Sequence, residues 1–88
     1  MNPRVKNVKA LPNFFLELIF QNGEQKVFNA KPYLEYGLFQ QLKDPHLFRS
    51  ARAVGGTVEW QNGLDLCPDT LYEESNPVAK KKFSPRSV

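Results

Sequence analysis

The 88-residue chain has one cysteine, one histidine and no long apolar run. A lone Cys67 excludes an internal disulfide, and Cys67 with His46 falls short of the clustered Cys/His sets that hold structural zinc. Nothing approaches the roughly 20 apolar residues of a membrane span, and no cationic-then-apolar leader opens the chain. A cytoplasmic protein without membrane association is expected. There is no glycine-rich phosphate loop and no metal-ligand pair at helical spacing. No nucleophile, base and oxyanion donors can be assembled. The sequence therefore points away from an enzyme, offers no catalytic residue, and implies no cofactor, metal or small-molecule ligand.

What is present suits one small globule. Seven Phe and a Trp supply large buried areas that offset the poor surface-to-volume ratio of a short chain. The net charge of +3 suggests an acidic partner until it is located. Residues 1–74 carry 8 basic and 9 acidic side chains, whereas 75–88 carry four basic ones and no acid. We expect a single domain over 1–74 and a basic, disordered tail over 75–88, since the tail has too few large apolar residues to bury itself.

Along the domain, Arg4 to Leu11 reads as a first strand ended by Pro12-Asn13. Phe14 to Phe20, then Gln21-Asn22-Gly23-Glu24, then Gln25 to Ala30 reads as a β-hairpin. A type I′ turn centred on Asn22-Gly23 sets Phe20 opposite Gln25, Leu18 opposite Val27 and Leu16 opposite Asn29. Phe15, Ile19 and Phe28 then share the second face with Glu17 and Lys26, a partly apolar surface that needs cover. From Lys31 the spacing turns helical, with Leu34, Leu38, Phe39 and Leu42 on one stripe broken into two short pieces at Gly37. Asp44-Pro45 caps another short turn. A second hairpin spans Arg52 to Cys67, with Gly55-Gly56 as a kink or bulge. Gln61-Asn62-Gly63-Leu64 repeats the earlier turn, setting Trp60 opposite Asp65, Glu59 opposite Leu66 and Val58 opposite Cys67. Asp69 caps a last helical turn through Leu71 and Tyr72. The class is α+β: two antiparallel hairpins plus a first strand, short helices between the hairpins and a final helical turn.

Trp60, Asp65, Asp69 and Tyr72 are the candidate binding residues, since two carboxylates and two aromatic faces gather around one hairpin and its exit. A structural reading stands beside this: Asp65 accepting an N–H, Asp69 as a cap, Tyr72 as a lid on the core. Cys67 reads as a small buried hydrophobe with nothing basic beside it, and His46 as a surface or capping residue. Arg52 is placed to pair with Glu59. Lys80, Lys81, Lys82 and Arg86 form a basic arm suited to weak, salt-sensitive contact with nucleic acid or an acidic surface.

The ordered series Arg4-Val5-Lys6-Asn7-Val8, Phe20-Gln21-Asn22-Gly23-Glu24, Lys31-Pro32-Tyr33-Leu34, Leu42-Lys43-Asp44-Pro45, Thr57 to Gly63 and Asp65 to Tyr72 resembles the prokaryotic domain of unknown function 2442 family. The resemblance covers roughly residues 3 to 74 and implies a compact α+β domain with no established activity. Some relatives carry a helix-turn-helix after this domain, and some sit beside toxin-antitoxin-like partners, which implies regulation or partner binding. Asn29 stands where the family commonly has Asp, and no helix-turn-helix follows Tyr72, so DNA recognition does not carry over. The expected function is a non-enzymatic protein-interaction module, homo-oligomeric through Phe15, Ile19 and Phe28. The alternative is a nucleic-acid-associated regulator acting through the basic arm.

Overall fold

The computed structural model describes residues 2–77 as two antiparallel sheets joined by short helical segments, the expected α+β class. Strands β1 (Val5–Leu11), β2 (Phe15–Phe20), β3 (Gln25–Asn29) and β7 (Asn76–Pro77) form one sheet in the order β1-β2-β3-β7. Strands β4 (Arg52–Val54), β5 (Thr57–Glu59) and β6 (Asp65–Leu66) form the other. Two 3₁₀ segments, Lys31–Glu35 and Gly37–Lys43, and helix α1 (Pro45–Phe48) lie between the sheets in sequence, and α2 (Pro68–Glu74) follows β6.

Both Asn-Gly hairpins are one residue off the expected register. Phe20 N–H donates to Glu24 O and Gly23 N–H donates to Phe20 O, both at 2.9 Å, so the loop is the three residues Gln21 to Gly23. Gly23 alone takes positive φ, at 91°. This is a turn closed by a left-handed glycine that forms a bulge, not a type I′ turn, because Asn22 works through its side chain. Its Oδ1 accepts from Glu24 N–H at 3.0 Å and its Nδ2 donates to the Glu24 carboxylate at 2.8 Å, an Asx arrangement that needs no left-handed backbone. Trp60, Asn62, Gly63 and Leu64 repeat the geometry, with Trp60 N–H on Leu64 O and Leu64 N–H on Asn62 Oδ1.

One residue of shift moves a whole strand to the other face. Leu16 pairs with Phe28, Leu18 with Lys26 and Ile19 with Gln25. Phe28 therefore joins Leu16, Leu18 and Phe20 on the inner face, all fully buried, and Val27 takes its place outside. In the second sheet Val58 pairs with Leu66 and Glu59 with Asp65, which ends the strand before Cys67. The two-residue turn with both residues at positive φ exists elsewhere. It is Gly55-Gly56 (φ 59° and 90°) between Val54 and Thr57, so the expected kink is a hairpin and the second sheet has three strands.

The inner face of the larger sheet is the floor of the core, to which Val5, Leu34, Leu42, Phe48, Trp60 and Leu71 contribute. Phe48 links the layers: its ring meets Phe14 edge-on at 5.2 Å and lies tilted beside Trp60 at 6.2 Å. Each such ring contributes roughly 1.5–3 kcal/mol by leaving water, and aromatic pairs add about 0.5–1.5 kcal/mol. Asp44 caps α1 as expected, accepting from His46 N–H at 3.0 Å. The stripe beyond Lys31 is broken by more than expected. Gly37 at φ 49° resets the phase, so Leu34 and Leu42 are buried while Leu38 is 64% exposed beside Tyr36 at 68%. Asp69 is not the cap of α2; Cys67 holds that position. Ser75 is buried and Asn76–Pro77 pair with Val27 and Lys26, three residues past the expected edge of the domain.

The sheets meet at Gly56, whose carbonyl accepts Val5 N–H at 2.9 Å. A Cβ there would lie 2.7–2.9 Å from Arg4 side-chain atoms, while one at Gly63 would meet nothing within 4 Å. Both glycines have φ near 90°. Gly63→Ala is expected to cost about 1 kcal/mol from backbone strain alone, and Gly56→Ala about 2–3 kcal/mol because Arg4 must also move. Urea unfolding of the two variants measures the difference; equal midpoints would refute the role given to Arg4.

Candidate functional site

The four candidate binding residues do not form one site. Trp60 is 1% exposed, and its indole N–H donates to the Phe48 carbonyl at 3.0 Å. It is a core residue whose polar edge is satisfied. Asp65 is exposed on β6, directly across from Glu59, which in turn lies across from Arg52. Adjacent carboxylates repel, with Arg52 opposing that from the far side. Asp69 accepts from the Asn2 amide at 3.3 Å, and the same amide reaches Glu73 at 2.9 Å. Of the four, only Asp69 and Tyr72 share an element.

Tyr72 fastens α2 to the hairpin. Its ring packs edge-on against Phe20 at 5.1 Å and its hydroxyl donates to Glu24 at 2.6 Å. Lys26 Nζ sits 3.9 Å from the ring centre and donates to the Tyr72 carbonyl at 2.8 Å. The bond to Glu24 holds the phenol neutral and raises its pKa. Tyr33, stacked beside Phe28 at 5.6 Å, donates to Glu74, the last residue of α2. Burial first, then the Glu74 carboxylate, push its pKa up to about 12. Two Tyr-Glu contacts thus anchor a helix of only seven residues.

Cys67 is exposed rather than buried. The Thr70 hydroxyl lies 3.4 Å from its Sγ. That contact, then the amides of Thr70 and Asp69, lower the thiol pKa against a smaller opposing effect of burial. The Thr70 contact accounts for most of this without a basic neighbour, and the Asp69 carboxylate works against it. His46 Nδ1 faces Arg49 at 3.3 Å at the surface. Among the described residues no group of three His, Cys, Asp or Glu side chains could hold a metal ion.

Two open clefts flank the turn at Asn13-Phe14. One, of about 340 Å³, runs between Leu11, Phe14, Phe48 and Arg49. The other, of about 460 Å³, lies over Leu34 with Glu35 and Lys43 at its rim. Arg49 is engaged with His46, and Lys43 with Glu35 at 3.3 Å. Asn13 and Lys31 line the second cleft as well, so its wall carries four polar or charged side chains beside Phe14 and Leu34.

The outer face of the larger sheet is different. Register places Leu11, Phe15, Ile19 and Val27 there, together with Lys9 and Glu17, which pair across β1 and β2. All four apolar residues are half-buried and lie outside the core cluster formed by the described residues, and Lys31 Nζ lies 5.2 Å from the Phe15 ring centre. Phe15 and Ile19 stand where the sequence put them, whereas Phe28 is inside. Leu11 and Val27 stand on this face although the sequence pattern does not place them there, Val27 because of the one-residue shift in register and Leu11 through the pairing of β1 with β2. Lys80, Lys81, Lys82 and Arg86 lie outside the described residues.

These features define a small α+β domain held by aromatic packing, with an apolar outer sheet face and no assembled catalytic constellation among the described residues. Residues 5–77 match the family described as Protein of unknown function (DUF2442), and the chain belongs to that family. No curated protein and no solved structure matches it. No helix among the described residues is long and apolar enough to cross a membrane.

Two outcomes follow from this geometry. Trp60→Phe is expected to destabilise the fold by about 2–4 kcal/mol through lost volume and an unpaired Phe48 carbonyl, whereas Asp65→Asn stays within about 0.5 kcal/mol. Chemical denaturation of both variants checks this, and a near-neutral Trp60→Phe would return Trp60 to the candidate binding residues. Tyr33 carries a raised pKa in the fold, so the stability it lends is complete below the ordinary tyrosine range near pH 10 and is lost as pH climbs from there toward about 12. In a phenolate absorbance titration of the folded protein, Tyr33→Phe should remove the component that titrates up to about 12; an unchanged curve would contradict the Tyr33-Glu74 contact.

Proposed function

We propose that this chain is a non-enzymatic interaction module that acts by protein contact through the outer face of its four-stranded sheet, and that its role is regulatory. The observation that carries the reading is the asymmetry of that sheet. Leu16, Leu18, Phe20 and Phe28 fill the inner face without exposure, while Leu11, Phe15, Ile19 and Val27 form an apolar surface outside the core. A sheet with one polar face needs no partner; one whose second face mixes half-buried apolar side chains with polar ones gains by covering the apolar part.

The family resemblance, with its toxin-antitoxin-like neighbours, fits control by binding. Nucleic-acid binding through Lys80, Lys81, Lys82 and Arg86 has no support from the described residues, whose body carries more acid than base.

Placing a photo-cross-linking amino acid at Phe15 or Val27 in cells tests the proposal. Discrete protein adducts are expected from both positions and not from Glu59 on the smaller sheet. Adducts absent from Phe15 and Val27 at native expression would overturn it.

A further inference from the structure

The two three-residue turns have the same sequence, Gln21-Asn22-Gly23 and Gln61-Asn62-Gly63, and all of these residues are exposed. Asn before Gly is the pair that loses its side-chain amide as ammonia most readily, because the glycine nitrogen approaches the side-chain carbonyl carbon with no Cβ in the way. The intrinsic chemistry is thus matched at the two positions, and the fold around each sets its rate. In both turns the attacking group is engaged: Gly23 N–H donates to Phe20 O and Gly63 N–H to Trp60 O, each at 2.9 Å. Reaction needs that bond to open.

The surroundings differ in charge and in strength. Asn22 Nδ2 donates to the Glu24 carboxylate at 2.8 Å, and the same oxygen accepts Tyr72 O–H at 2.6 Å. A glycine nitrogen that gives up its proton here becomes an anion beside a fixed negative charge, which opposes the step. The strands this turn joins pair over the whole of Phe15 to Ile19 against Gln25 to Asn29. Asn62 Nδ2 donates instead to the neutral Gln41 amide at 2.9 Å, and its turn joins only the pairs Val58-Leu66 and Glu59-Asp65. A short ladder opens locally at lower cost than a long one.

We propose that Asn62 is a site of spontaneous deamidation in the folded protein, and that the fold shields its twin Asn22. Once the Gly63–Trp60 hydrogen bond opens, the Gly63 nitrogen loses its proton to solvent and forms a bond to Cγ of Asn62. The Cγ–Nδ2 bond breaks, and ammonia leaves with a proton taken back from water, closing a succinimide. Water then adds at Cγ, which gives aspartate, or at the main-chain carbonyl carbon, which gives isoaspartate with an extra methylene in the backbone. Either product replaces the amide that donates to Gln41 by a carboxylate. The isoaspartyl form also lengthens the loop that keeps Trp60 N–H on Leu64 O. Modification therefore loosens the second hairpin from the 3₁₀ segment Gly37–Lys43.

The test keeps the full chain folded at mildly alkaline pH for several weeks, beside a sample in concentrated guanidinium chloride. Chromatography and mass spectrometry of the peptides measure aspartate and isoaspartate at positions 22 and 62. Dividing the rate in the folded chain by that in the unfolded chain removes any intrinsic difference between the two positions. The fold should slow Asn22 at least about fivefold more than Asn62. Glu24→Gln keeps an acceptor for the Asn22 amide and removes the charge, so it should speed Asn22 about threefold and leave Asn62 unchanged. Gln41→Ala should speed Asn62 alone. A general loss of folding would speed both positions together, so a selective rise separates the local contact from stability. Equal slowing at the two positions, stronger slowing at Asn62, no product at position 62 in the folded chain, or a folded Glu24→Gln variant whose Asn22 rate is unchanged overturns the inference.

Discussion

The loop Gln21 to Gly23 determines which side chains of β3 point inward, and the rest of the molecule depends on that choice. With Asn22 capping Glu24 N–H through its side chain, Leu16 meets Phe28 across the strands. Phe28 then completes a buried row with Leu18 and Phe20, and it presents its ring to Tyr33. In the type I′ register Phe28 would stand in water while Lys26 changed faces. Losing one buried Phe of this kind costs roughly 3–5 kcal/mol, a large share of the stability of a small domain. Core and outer face are thus fixed by one turn.

The second constraint joins the sheets. Phe48 occupies the middle of the stack from Phe14 to Trp60, and its carbonyl takes the indole proton. Ser50, two residues on, accepts from Gln61 N–H at 3.0 Å, and Gln41 accepts from the Asn62 amide at 2.9 Å. The second hairpin is therefore tied to the 3₁₀ segment and α1 by polar contacts around a buried ring. Its own strands are only two or three residues long and would not persist alone.

Much of this was legible in the sequence where a residue type has one physical use. Asp44-Pro45 marked a helix start because a short acceptor before a residue without N–H satisfies the first turn, and the two Asn-Gly pairs marked hairpins. Their register was not legible, since Asn-Gly serves both the two-residue turn and the three-residue turn with a bulge. Cys67 was misjudged for the same reason: one residue of shift took it from a strand to a helix cap. The Trp60 environment depended on a carbonyl twelve residues away, which no local pattern encodes. Leu38 was misplaced because Gly37 breaks the phase that the helical stripe assumed.

The turn at Asn13-Phe14 shows how core and outer face are coupled. Both residues have positive φ, 65° and 64°. Asn tolerates this, but for a bulky side chain it costs on the order of 1–3 kcal/mol. The strain is offset locally: the Phe14 ring packs on Phe48, and its carbonyl accepts Ala30 N–H at 3.0 Å. The turn sends two consecutive rings to opposite sides, Phe14 into the core and Phe15 onto the outer face. Relaxing the backbone at Phe14 would draw its ring from Phe48 and move Phe15 relative to Leu11. The outer surface is therefore held in shape by the packing of the core beneath it.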